Sequence, residues 1–546
     1  MKLIRSLALL VAVGMATQSG VADERVDALV RQGELGAAVR VAATIEDPSE
    51  RADALDAITA AVGPLSGIRE GGEDATDRAA TAGGGSADFG PIIDLIQSQT
   101  GGDTWQDIGG GDGQITPFDS GIRVDPRGVI SKVSSQELAG QLEQLAAAAR
   151  TVDVGADMAA PAEMRVVSLT RLEAAVSELL AEGTSVPKEM RSLAGLTAVD
   201  HVFVYPESGE IVIAGPAEGW EIRGDGRTVA TQSGRPTLQL DDLVTVLRTF
   251  GPGGEGVFGC SIDPRRENVA ELQKFVAQSQ AGGSLRPAAV RRWVQQIDET
   301  LGKADVRVYG VPATSRVAHI LVDADYRMKL IGLDELEGGP DVPGYFELLA
   351  QNRQFITGGL DALRWWMTMN YSAVRHDAGK TAFELVGEGV LCQSENQHLT
   401  AEGERVPTGT AEPLNREFAA NFTAHYAQLC QRETVFADLE AVLDLALAAA
   451  LIEHEGLDEA AGWDRGCFAA DGAYRPAQYV APATADAVVA HRVYNGRDIV
   501  VQAAGGVDAD VMRVVTDGSM RDVDESVADE AAEAAATGDR WWWNAR

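Results

Sequence analysis

The stretch VFVYPESGEIVIAG, Val202 to Gly215, decides how this chain is read. Apolar residues alternate on either side of Pro206-Glu207-Ser208-Gly209, and that pattern predicts two antiparallel strands joined by a tight turn. Tyr205 closes the first strand. Three further stretches repeat the pattern: VRVYGVPATSRVAHILV (Val306 to Val322), MTMNYSAVRHDAGKTAFELV (Met367 to Val386) and HRVYNGRDIVVQAA (His491 to Ala504), with Tyr309, Tyr371 and Tyr494 at the expected strand ends. Asn495-Gly496 in the last is the strongest two-residue turn signal in the chain.

Upstream of the first hairpin come strand Arg165-Val166-Val167, a capping box at Thr170 to Glu173, a helix to Leu180 and a short helix opened by Pro187. The same order starts again at Val257 to Ile262. Helices bearing Val269, Leu272 and Val276, then Val290, Trp293, Ile297 and Leu301, lead to the second hairpin. The expectation is an α+β fold built on tandem β-α-α-β-β units over residues 151–340, with an α+β region over 341–516. In that region Phe418, Phe422 and Leu429 stripe one helix, and Leu439, Val442 and Leu443 the next.

The flanks read differently. Residues 1–22 have a cationic head (Lys2, Arg5), an apolar run from Leu7 to Val13 and the small residues Gly20 and Ala22, the grammar of an export signal. Residues 23–63 read as a helical hairpin, the second helix starting at Asp47-Pro48-Ser49-Glu50. Residues 64–90 are a glycine-rich linker, expected to stay disordered. Residues 91–150 predict a small hairpin around Pro126-Arg127-Gly128 and a helix carrying Leu138, Leu142 and Leu145. Residues 517–546 form an acidic tail ending in Trp541, Trp542 and Trp543.

Composition narrows the partners. At 546 residues the chain is long for a single core. A net charge of −36 repels phosphate backbones, which argues against nucleic acid as a partner. After signal removal no segment is long and apolar enough to span a bilayer. Export to the periplasm or beyond permits disulfides, so Cys260, Cys392, Cys430 and Cys467 are candidates, with a bridge among the last three favoured.

The segments Leu193-Ala194-Gly195-Leu196, Val204-Tyr205-Pro206-Glu207, Ala214 to Trp220, Gly234-Arg235-Pro236, Leu240-Asp241-Asp242-Leu243 and Cys260-Ser261-Ile262-Asp263-Pro264 resemble the exported planctomycete proteins catalogued as domain of unknown function 1598. The likeness runs from Pro91 to Val515 and is strongest from Met164 to Leu336. It implies export and an α+β body, and supplies no catalytic residues.

Chemistry must therefore be sought in the residues themselves. Gly109-Gly110-Gly111-Asp112-Gly113 lacks the lysine and hydroxyl of a phosphate cradle. The seven histidines are scattered, without metal-ligand spacing. Asp323-Ala324-Asp325, like Asp508-Ala509-Asp510, would place two carboxylates on one face of a strand. No cofactor is expected, and calcium at Asp323 and Asp325 is the one ion for which the sequence leaves room. Ser261, beside Cys260 and Asp263, is a reactive locus only if a partner base converges on it. Glu207, Glu218 and Trp220 at the two ends of one hairpin would suit a glycan. Trp365-Trp366 reads as the start of a buried strand. Three indoles at Trp541 to Trp543 would suit a protein partner. Two functions follow: a non-enzymatic interaction or scaffold protein of the cell envelope, or an exported hydrolase acting on glycan or peptide in a cleft between the repeat units.

Overall fold

The structure is a computed structural model and describes residues 114–118, 121–125, 155–223, 227–281, 287–355, 359–494, 497–536 and 538–546. The expected export signal, helical hairpin, linker and the helix near Leu138 lie outside these residues. Strands β1 (Gln114–Phe118) and β2 (Gly121–Asp125) pair antiparallel. Of the hairpin predicted around Pro126-Arg127-Gly128, only Ile122 to Asp125 falls among the described residues, and it pairs with the strand before it.

The body opens with α1 (Gly155–Ala159), β3 (Ala162–Ser168), α2 (Leu169–Ala181), α3 (Lys188–Arg191), β4 (His201–Tyr205) and β5 (Glu210–Ala217). This is the expected strand, helix, helix, strand, strand order. The α2 cap lies two residues earlier than read: the Ser168 hydroxyl, not Thr170, accepts the N–H of Arg171. A small ribbon of β6 (Trp220–Ile222) and β7 (Thr228–Ala230) follows, then α4 (Leu240–Phe250). The second run has β8 (Phe258–Pro264), α5 (Arg266–Ala281), α6 (Pro287–Leu301) and β9 (Lys303–Tyr309).

There the repeat breaks. The expected returning strand is α7 (Arg316–Gly332), a helix capped by the Ser315 hydroxyl at the N–H of Ala318. Of its seventeen residues thirteen are buried, so apolar residues appear on every side and periodicity no longer separates helix from strand. The runs also differ in pairing. β8 pairs directly with β9, whereas β5 lies between β3 and β4. Tyr205 donates to the Ala531 carbonyl from a half-buried position, while Tyr309 is 38% exposed and donates to Asp508. The two tyrosines are not equivalent.

The chain continues through α8 (Tyr345–Gln351), β10 (Gly359–His376), β11 (Ala382–Leu399), β12 (Arg405–Pro407), α9 (Pro413–Ala424), α10 (Tyr426–Arg432), α11 (Thr434–His454) and α12 (Leu457–Ala461). It ends with β13 (Thr484–Asp486), β14 (Val489–Tyr494), β15 (Arg497–Ala509), α13 (Val511–Thr516), β16 (Arg521–Val523), α14 (Ser526–Ala534) and β17 (Trp542–Asn544). β10 and β11 form the third expected hairpin, and β14 and β15 the fourth, with Tyr494 opposite Arg497. Tyr371 does not close its strand; β10 runs on to His376 and carries register shifts on both sides of Tyr371.

One thirteen-stranded mixed sheet gathers these elements in the order β13-β9-β8-β15-β10-β11-β4-β5-β3-β17, with β12, β14 and β16 branching from it. The largest core lies on its inner face, where α2, α4, α7 and α9 to α11 pack. At its centre α11 is buried from Val435 to Ile452 save Glu440. No helix among the described residues is long and apolar enough to cross a membrane.

The outer face has two separate covers. α5 and α6 close one end through Val269, Leu272, Trp293 and Ile297 over Val500. α14 closes the other through Val527 and Ala534, over Val166, Phe203, Val212 and Ala382. Between them the middle strands are open.

Candidate functional site

The inner face takes most of the buried charge. Asp323 and Asp325, expected on a strand, lie in α7, where each faces a cation one turn on: Arg327 Nε is 2.9 Å from Asp323 and Lys329 Nζ is 2.7 Å from Asp325. Asp325 and Lys329 are both enclosed, and Lys329 Nζ also reaches the Ile262 carbonyl at 3.3 Å. Burial pushes the Asp325 carboxyl up to about 6. Above them Arg316 bridges Asp242 of α4 and Asp438 of α11, the latter at 2.5 Å, and Arg227 Nε approaches Asp438 to 3.1 Å. Burial, outweighing the neighbouring Arg316, raises Asp242 to about 7. A third group is Asp444, which accepts the Tyr371 hydroxyl and, at 3.1 Å, the N–H of Val199; burial raises it to about 7 as well. These pairs tie α4, α7 and α11 to one another and to the sheet. Among the described residues no three His, Cys, Asp or Glu side chains are grouped to hold a metal.

All four cysteines are free, and the bridge expected among Cys392, Cys430 and Cys467 is not formed. Cys392 sits on β11 with its Sγ 3.6 Å from the sulfur of Met328, whereas Cys467 sits against Glu173 of α2. Cys430 lies on α10.

The terminal tryptophans pack on their own chain. Trp542 of β17 pairs opposite Val167, is 8% exposed and stacks under the Arg165 guanidinium at 5.2 Å. Trp543 donates its indole N–H to the Ala534 carbonyl at 2.9 Å, and Trp541 packs against the main core. Arg165, fully buried, donates to the Met158, Ala160 and Ala194 carbonyls and to Asn544, so the last strand is fastened to β3 by side chains as well as by backbone.

Ser261, Glu207 and Asp323 do not converge. Ser261 is on the outer face of β8, Glu207 is in the β4–β5 turn, and Asp323 is in α7 under the inner face. Trp220 is buried in β6, while Glu218 accepts the N–H groups of Gln232 and Ser233. Asp510 caps α13, accepting the N–H of Arg513.

The open middle of the outer face collects a different set. By register Arg307, Ser261, Gly506, Trp366 and Gln393 form one row across β9, β8, β15, β10 and β11. In the next row Tyr309 lies over Gly259, where a β-carbon would stand 2.3 Å from the Tyr309 oxygen, and its hydroxyl donates to Asp508 at 3.2 Å. Glycine and serine thus make a low floor between two aromatic walls. The Arg364 guanidinium lies 4.8 Å from the Trp366 ring centroid. Beyond Trp366 the surface dips into a groove of about 540 Å³ between β11 and α9. A smaller cavity of about 370 Å³ lies under the loop from Asp334 to Gly344; Asp334 there is raised to about 6 by burial and is committed to the N–H groups of Phe346 and Glu347.

Sequence reading missed this face. Its signal was present in Trp365-Trp366: adjacent strand residues point to opposite faces, so one indole had to face outward. Trp365 is fully buried with its N–H on Asn415, and Trp366 is on the outer side. What linear order could not show is that Arg364 lies over its ring and Arg416 lines the same groove.

Among curated proteins and among solved structures, none matches the chain. A family model described as protein of unknown function (DUF1598) matches residues 260–345, a shorter span than the likeness read from the sequence. Over this segment, from β8 through α7 to the first residue of α8, the chain resembles that domain of unknown function.

Proposed function

We propose that this is an exported, non-enzymatic interaction protein that engages an envelope partner through the open middle of its outer sheet face. Export is supported by the signal grammar of residues 1–22. The interaction reading rests on one observation: the carboxyls most raised by burial, Asp242 and Asp444, lie in the core away from both cavities and are bonded within the fold, and Asp334 at the smaller cavity is committed to the N–H groups of Phe346 and Glu347. A catalytic site needs such groups where substrate can reach them. The outer face instead offers half-exposed aromatics and arginines, the residue types that anchor interfaces.

The test is affinity capture from envelope extract with the chain lacking residues 1–22, beside a Trp366→Ala variant of equal melting temperature. Recovery of a stoichiometric partner by the first and its loss from the second is expected. Equal recovery by both, or none by either, overturns the reading.

A further inference from the structure

The groove beside Trp366 carries a more specific assignment, which rests on the interaction reading above and names the partner's chemistry. One wall is the outer surface of β11 at Leu391 and Gln393, with Trp366 of β10 beside it. The other is α9, which presents Ala420, Thr423 and Ala424. These small side chains are the reason there is space: the α9 residues that fill the core, Phe418 and Phe422, point inward. At about 540 Å³ the groove is of the size that holds a few side chains.

Its charge is one-sided. Arg416 lines it, spending one Nη on the Ala411 carbonyl at 3.1 Å, and Arg364 lies on the indole of Trp366. No carboxylate is among the lining residues, in a chain of net charge −36. Glu395, opposite Arg364 in register, is buried and accepts the N–H of Gly409. Neither Arg364 nor Arg416 has an ion pair among the described residues. A neutral, hydroxyl-rich ligand would meet mostly methyl groups here, whereas an apolar side chain next to a carboxylate would find both a wall and a cation. The groove also runs into the open sheet face at Trp366 and Gln393, so its occupant can continue past it in extended form.

We infer that this groove binds an extended peptide segment of the partner protein in which apolar residues flank an acidic one. Its test uses the full chain lacking residues 1–22 and a phage-displayed library of random twelve-residue peptides. Enriched peptides are labelled and titrated by fluorescence anisotropy against the unsubstituted chain, Arg416→Glu and Ala420→Trp. Both positions are exposed, so melting temperatures should hold. The expected result is enrichment of apolar peptides with Asp or Glu, at least tenfold weaker binding to Arg416→Glu, and no binding to Ala420→Trp. Enrichment of basic peptides, indifference to both variants, or no enrichment overturns the proposal. Should a partner still be captured from extract by Ala420→Trp but not by Trp366→Ala, the groove assignment fails while the interaction reading stands.

Discussion

Single residues explain why the buried charge of this protein is structural. Asp444 is enclosed in the middle of α11, and its carboxyl is raised to about 7 because burial disfavours the ionised form. A carboxyl whose folded value lies above its unfolded one favours the fold while it holds its proton. That contribution is complete below about pH 4 and disappears as pH rises through about 7. Asp444→Asn should therefore flatten the pH dependence of stability. Between pH 5 and 8 the unsubstituted chain should lose about 2–3 kcal/mol more than the variant, read from urea midpoints at the two pH values. An equal slope in both would show that Asp444 ionises freely in the fold. In the sequence Asp444 is simply one of two acidic residues, with Glu440, in the apolar stretch Leu439 to Ile452. Its partner Tyr371 was read as the end of a hairpin strand, because nothing in linear order places it opposite α11.

At the scale of elements, hairpins were legible and α7 was not. β4–β5, β10–β11 and β14–β15 each show alternation around a turn, a local signal that survives packing. The stretch Val317 to Val322 carries the same apolar density, but burial on all sides replaces alternation, and two helix-like ion pairs at Asp323–Arg327 and Asp325–Lys329 decide the matter. The tail shows the reverse error. Trp541 to Trp543 looked free to meet a partner, yet β17 closes the edge of β3. Trp542→Ala should cost about 3–5 kcal/mol by chemical denaturation, the usual range for removing a buried tryptophan. Deleting residues 541–546 should in addition uncover the β3 edge and produce concentration-dependent oligomers by size exclusion. A monomeric deletion variant of unchanged stability would mean that β17 contributes nothing to the sheet.

Across the whole molecule, charge and topology act at different ranges. A chain of net charge −36 repels itself when folded, and salt screens that repulsion. Raising sodium chloride from roughly 20 to roughly 200 mM should raise the melting temperature; a fall would mean that specific ion pairs such as Arg316–Asp438 outweigh the general repulsion. The single sheet draws strands from every part of the described chain between β3 and β17, so a unit-by-unit division along the sequence does not describe how it is built. By itself the sequence determined the α+β class, three of the hairpins and the acidic character, because alternation, turn chemistry and composition are local or additive. Tertiary structure alone decided that α7 is a helix, that β17 seals an edge and that Trp366 and Arg416 line one groove, with Arg364 over the indole. Those outcomes depend on which surfaces are covered by residues up to hundreds of positions away, and that information appears only when the sheet closes.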